Sequence, residues 1–107
     1  MKRLNIDIET YSEADLMKSG VYKYVDKPSG FEVLLFGYAV DGGKVKVIDL
    51  ANGEKLPEEI IEALKSPEVL KYAFNAQFER VCLGAYLGEY LSPESWRCTM
   101  VASLYLG

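Results

Sequence analysis

Asp7 and Glu9 stand one residue apart in the stretch LNIDIET. Residues at that spacing leave an extended strand on the same side, about 6.5 to 7 Å apart along its axis. Leu4, Ile6 and Ile8 alternate with them and take the opposite side, so the stretch reads as a half-buried strand. Two partly covered carboxylates so close raise each other's pKa or need a cation between them. Oxygen donors suit a hard divalent ion, Mg²⁺ or Mn²⁺. The plain alternative is a wet strand face on which both acids are solvated, and the spacing alone does not separate the two.

A third acid, Glu79, lies in FNAQFERVCL. Asn75 can cap the helix that runs through AQFERVCLGAYLG; N3 then falls to Phe78, which leaves Glu79 one place too late for a capping box. At about 100° per residue, Phe78, Val81, Cys82, Ala85 and Tyr86 form the buried stripe. Glu79 falls at its rim beside Tyr86, and Arg80 points away. From that rim Glu79 can look toward the sheet edge, or it can be a surface acid favoured by the helix dipole.

The elements that must position these acids can be read in order. Ser12 with Asp15 reads as a capping box and Gly20 as a stop, giving a short helix over SEADLMKSG. VYKYVDKPSG reads as a loop, punctuated by Pro28, Ser29 and Gly30. FEVLLFGYAV and KVKVIDL, with DGG between them, form an antiparallel hairpin. The unbroken apolar run Val33 to Phe36 suits a strand covered on both faces. Pro57 opens a helix over PEEIIEALK, with Ile60, Ile61 and Leu64 on one side and Pro67 beyond its end. VLKYAF is a short strand, LSPESWRCTM a loop with room for a brief strand, and VASLYLG the start of an apolar helix. The fold class is α/β, a mixed sheet flanked by helices. The last helix lacks the polar closure that ends the others, so the chain is expected to be truncated at its C-terminus.

Composition sets the outer limits. A chain of 107 residues, half of them hydrophobic, supports one small packed domain. A net charge of −4 and a pI near 4.8 argue against a general basic grip on nucleic acid, but not against a local grip through a metal ion. Lys23, Lys27, Lys44 and Lys46 are too scattered to form a basic patch. Histidine is absent, which excludes His-based triads, His-ligated zinc and His general bases. Cys82 and Cys98 lack CxxC spacing and read as buried, reduced thiols. No secretory or membrane-spanning segment is evident, so the expected location is cytoplasmic and no membrane partner is implied. Tyr22, Tyr24 and Phe31 could stack on bases or simply pack their loop onto the core, and Trp96 reads as a core anchor.

IDIET, a hairpin, a helix, a short strand and then FNAQFERVCL together resemble the DEDD-type 3′-to-5′ exonucleases of the ribonuclease H-like fold. The wording is most like the exonuclease region of phage and prophage family-A DNA polymerases, and the likeness runs over nearly the whole chain. The resemblance implies that Asp7, Glu9 and Glu79 are metal-binding and catalytic. Asp7 would bridge two Mg²⁺ or Mn²⁺ ions, Glu9 would hold the ion that carries the attacking water, and Glu79 would support the other. It further implies that Thr10, Asn75 and Phe78 contact the 3′-terminal nucleotides of single-stranded DNA, and that a covalently linked polymerase module lies downstream.

The family's third motif, a Tyr or His followed by a fourth metal-binding Asp, has no match, because no aspartate follows Asp49. Residues 1–107 are therefore expected to form one incomplete exonuclease-like domain, weak or inactive alone. Glu79 also stands where the family usually has Asp, and Phe74 where a His often precedes the Asn. The alternatives are a non-catalytic ribonuclease H-like scaffold or partner-binding module, and a nuclease of the same fold acting on RNA.

Overall fold

The first strand, β1 (Arg3–Tyr11), alternates in burial as its sequence predicts: Leu4, Ile6 and Ile8 are buried, while Asn5, Asp7 and Glu9 are exposed. In this computed structural model, which describes residues 1–14, 16–26 and 30–99, β1 is the centre of a five-stranded sheet. The hairpin strands β2 (Glu32–Val40) and β3 (Lys46–Asp49) lie on one side of it, antiparallel, and β4 (Leu70–Ala73) and β5 (Trp96–Cys98) on the other, parallel. The sheet order is β3-β2-β1-β4-β5, the mixed α/β sheet expected. Among the described residues three α-helices accompany the sheet: α1 (Leu16–Tyr24), α2 (Glu58–Lys65) between β3 and β4, and α3 (Ala76–Leu87) between β4 and β5.

Ile60 and Leu64 of α2 and Cys82 and Leu83 of α3 pack in one core with Leu4, Ile6, Ile8, Phe36 and Tyr38. Each fully buried aliphatic side chain among them contributes about 1.5 to 3 kcal/mol of transfer free energy. That burial, rather than helix propensity, holds helices as short as α2 in place.

The apolar run in β2 is explained by a bulge rather than by cover on both faces. Glu9 pairs with Leu35 but Thr10 pairs with Val33, so Leu34 is the extra residue. The offset turns both Val33 and Phe36 into the core and leaves Leu34 and Leu35 half-buried.

Gly20 does not stop the first helix. With φ 79° and ψ 168° it kinks the chain, and helix resumes as far as Tyr24, in the stretch expected to be loop. Only glycine takes that conformation without strain. Asp15, Pro28, Ser29 and the VASLYLG helix lie outside the described residues. Ser12 accepts a hydrogen bond from the Ala14 amide (3.1 Å) and donates to the Tyr24 carbonyl (2.6 Å), so it fastens the far end of α1 beside the exit of β1.

The buried side of α3 also differs from the expected stripe. Ala76, Glu79, Arg80, Cys82, Leu83 and Gly84 are buried, Phe78 and Val81 are half-buried, and Ala85 and Tyr86 are exposed. The cause is the chain that follows the helix and folds back across it. Arg80, rather than pointing away, donates to the Leu91 carbonyl (2.7 Å) and lies 5.7 Å from the Tyr90 ring centre. A Cβ on Gly84 would come within 2.8 Å of the Glu89 carbonyl oxygen, so only glycine permits this return path.

The two thiols differ as well. Cys82 is buried, and its thiol is pushed up to about 12 by burial and then by the Glu79 charge. Cys98 is exposed, contrary to expectation, because it closes the short edge strand β5, where its Sγ donates to the Phe74 carbonyl (2.9 Å).

Candidate active site

Strand lengths create the site. β1 has nine residues and β4 only four, and the pairing of the two ends at Ile6 and Ala73. From Asp7 onward β1 runs past the end of β4, and the first turn of α3 enters the gap. In α/β sheets this is the usual place for a ligand site, outside the carboxyl ends of parallel strands. The resulting cleft, about 440 Å³, is lined by Asn5, Asp7, Tyr72, Phe74, Glu79 and Thr99 among others.

Glu79 is 5% exposed and faces this cleft from α3. Its Oε2 accepts the Asn75 amide (3.2 Å), while Asn75 Oδ1 accepts the Phe78 amide (3.4 Å). The reciprocal bonding of a capping box therefore forms one residue later than its usual spacing. Glu79 does stand one place beyond N3, as its spacing predicts, but the expectation that this forbids a capping box is corrected, since its side chain is long enough to reach back. Burial pushes the Glu79 carboxyl up to about 7; amide hydrogen bonds oppose the rise and the Asp7 charge adds to it. The expected position at the rim is also corrected, because the acid lies inside.

The structure thus brings Asp7 and Glu79 to one cleft. Glu9 is exposed two residues further along β1 and does not line that cleft. No group of three acids close enough to hold an ion occurs among the described residues. In chemistry the set suits a hard divalent cation: its donors are carboxylate oxygens only, one of them on a buried side chain that ionises reluctantly beside a second negative charge.

Of the residues expected to contact nucleotides, Thr10, Asn75 and Phe78, none lines the cleft. Thr10 Oγ1 and the Tyr24 hydroxyl are hydrogen-bonded at 2.8 Å. The Tyr24 ring packs against Phe78 (centroids 5.6 Å apart) and Phe31 (5.9 Å). Tyr24 and Phe31 follow the packing alternative, and Tyr22 stays exposed. Trp96 is a buried core anchor, as its sequence context implies.

Sequence reasoning missed Asn5, Tyr72 and Thr99 as cleft residues. Asn5 was within reach by the alternation that picked out Asp7. Tyr72 follows only from its register opposite Asn5, which pairing alone reveals. Buried Lys71 was missed too; its Nζ donates to the Ser66 carbonyl and to Ser95 Oγ, each at 2.6 Å, and lies 5.8 Å from the Trp96 ring centre.

This architecture is the one found in exonuclease domains of the ribonuclease H-like fold. NrnC of Brucella melitensis superposes with a TM-score of 0.65 at 19% identity, over 97% of this chain and 44% of that one. The EXD2 exonuclease domain does so with a TM-score of 0.60 at 16% identity, over 96% and 46%. NrnC is also known with bound Mg²⁺ and bound to pGG. In sequence, the chain is 52% identical over all its 107 residues to the DNA polymerase of Bacillus phage SP02. It spans 16% of the length of that polymerase. Together these likenesses support the DEDD-type exonuclease domain that the sequence resembles. No protein-family profile matches the chain. No helix among the described residues is long and apolar enough to cross a membrane.

Proposed function

We propose that this chain is a 3′-to-5′ exonuclease module of a phage-type DNA polymerase. It acts on single-stranded 3′ ends by hydrolysing a phosphodiester, beside a covalently linked polymerase module. The observation that carries the reading is the convergence of Asp7 and Glu79 in one cleft, within a fold shared with exonuclease domains. The sequence match to a phage DNA polymerase supports the setting.

Asp7, Glu79 and Glu9 are the side chains that would hold divalent ions, two in the complete site. Such ions, when bound, supply a more acidic water and charge stabilisation for the leaving oxygen. The protein's own part is positional. The sheet fixes Asp7, the reciprocal cap with Asn75 fixes Glu79 in the first turn of α3, and the bulge at Leu34 sets the register in which Thr10 pairs beyond Glu9. Neighbouring phosphates enter a cleft whose acids repel them until cations intervene, which makes ion binding a precondition of substrate binding.

The test is an NMR titration with Mn²⁺. Line broadening centred on Asp7, Glu9 and Glu79 is expected, and each of Asp7→Asn and Glu79→Gln weakens it. Silence at all three positions would leave the scaffold alternative in possession. In parallel, a 5′-labelled single-stranded oligonucleotide should shorten stepwise from its 3′ end when given to a polymerase that carries this module.

A further inference from the structure

Among the aromatic residues near the acids, Phe74 differs from the rest. Phe78 and Tyr24 pack against each other as tilted rings, 55° between their planes. Phe74 is 58% exposed and lines the same cleft as Asp7 and Glu79. The backbone beneath it is fixed at three successive positions. The Ala73 carbonyl accepts the Thr99 amide (2.7 Å), the Phe74 carbonyl accepts Cys98 Sγ (2.9 Å), and the Asn75 amide is held by Glu79 (3.2 Å). What sets this ring apart is its place: it stands on a turn held by three hydrogen bonds and lines the cleft with an acid pair suited to cations, where a base next to a cation-held phosphate would meet it.

We infer that Phe74 is the platform on which the nucleobase nearest the scissile phosphate stacks, irrespective of base identity. The inference rests on the proposed nuclease reading and names the contact that this cleft makes with its substrate. Every base offers a π-face, so a ring in this position grips a strand without reading its sequence. It also supplies an attraction that does not depend on a basic surface, which this chain of net charge −4 lacks.

The experiment uses the 107-residue chain and an oligothymidylate carrying 2-aminopurine at its 3′ end, with Ca²⁺ as a cation expected to support binding without hydrolysis. The wild-type chain should bind and quench the fluorophore. Phe74→Ala should bind about tenfold more weakly, within the range for loss of one base–aromatic stack. Phe74→Trp should restore binding and quenching. An oligonucleotide with an abasic 3′ end should bind wild type and Phe74→Ala equally, an outcome that a merely structural role for Phe74 does not give. Unchanged melting of Phe74→Ala is expected, since the ring is exposed. Equal binding of the 2-aminopurine strand by wild type and Phe74→Ala would overturn the stacking role and leave the nuclease reading intact. Failure of the wild type to bind with any divalent cation would overturn both.

Discussion

At the scale of single residues, Glu79 is the most perturbed acid of the cleft, and the cause predicts how it will respond. Its carboxyl ionises near 7 rather than at 4.5, first because it is buried and last because Asp7 is near. Between those two values the folded chain holds a proton that the unfolded chain releases, so stability should fall as pH rises from about 4.5 to 7, by up to about 3 kcal/mol. Glu79→Gln keeps the hydrogen-bonding shape and removes the titration. Chemical denaturation of this variant at pH 5 and pH 8 should show that part of the slope gone, and an unchanged slope would refute the assignment. Asp7→Asn should lower the Glu79 pKa only part of the way, because burial remains; carboxyl NMR titration measures this directly. Lys71 behaves in the opposite sense. It is 1% exposed, and burial lowers its pKa to about 8. Stability should therefore rise with pH between about 8 and 10.5, where the unfolded chain alone still binds the proton. Lys71→Ala would leave a cavity and withdraw a donor from Ser66 and Ser95, at a cost of about 2 to 4 kcal/mol. Lys71→Met, of similar length and apolar, should cost much less below pH 8, and comparing the two variants separates lost packing from lost charge.

At the scale of elements, two glycines decide paths that periodicity cannot foresee. Gly84→Ala would drive a Cβ to 2.8 Å from the Glu89 carbonyl oxygen, a backbone atom that cannot swing aside. A loss of about 1 to 3 kcal/mol is expected, read as a fall in melting temperature, even though alanine is the better helix former. If Gly84→Ala stabilised the chain, the return of residues 88–91 across α3 would be wrong. That return also explains what was legible. Alternation placed β1, Asp7 and Glu9 correctly because one face of a strand depends only on its own residues. The stripe on α3 was misplaced because residues 88–91 cover a side of the helix that its own apolar pattern does not mark, burying Arg80 and Gly84. The hairpin and α2 were legible from DGG and from Pro57, both local signals. The bulge at Leu34, the depth of Glu79 and the exposure of Cys98 each depend on a partner far along the chain, and no local signal marks them.

At the scale of the whole molecule, charge and architecture together determine how a nucleic acid can approach. The helices α2 and α3 pack behind the sheet, on the side of Leu4, Ile6 and Ile8, while Asn5, Asp7 and Glu9 look outward from the other side. Gly37 sits opposite Asp7 in the pairing of β1 with β2, and with Ala39, Val45 and Val47 it forms a second, shallow trough of about 210 Å³ beside that acid. A strand lying over this surface meets carboxylates and apolar side chains, and the net charge of −4 adds long-range repulsion. Few phosphates can then be neutralised by Lys or Arg, and each one that is contributes about −0.7 to the slope of log K against log[salt] for a single strand. The expected result is a shallow dependence on monovalent salt, with a slope weaker than about −2, combined with complete loss of binding on addition of a chelator. A protein that gripped nucleic acid by a basic face would show the reverse, a steep salt slope and indifference to EDTA. Fluorescence anisotropy with a labelled single strand from 50 to 300 mM KCl, with and without Ca²⁺, separates the two, and EDTA-resistant binding with a steep slope would remove the cation from its proposed place between an acidic cleft and a phosphate backbone.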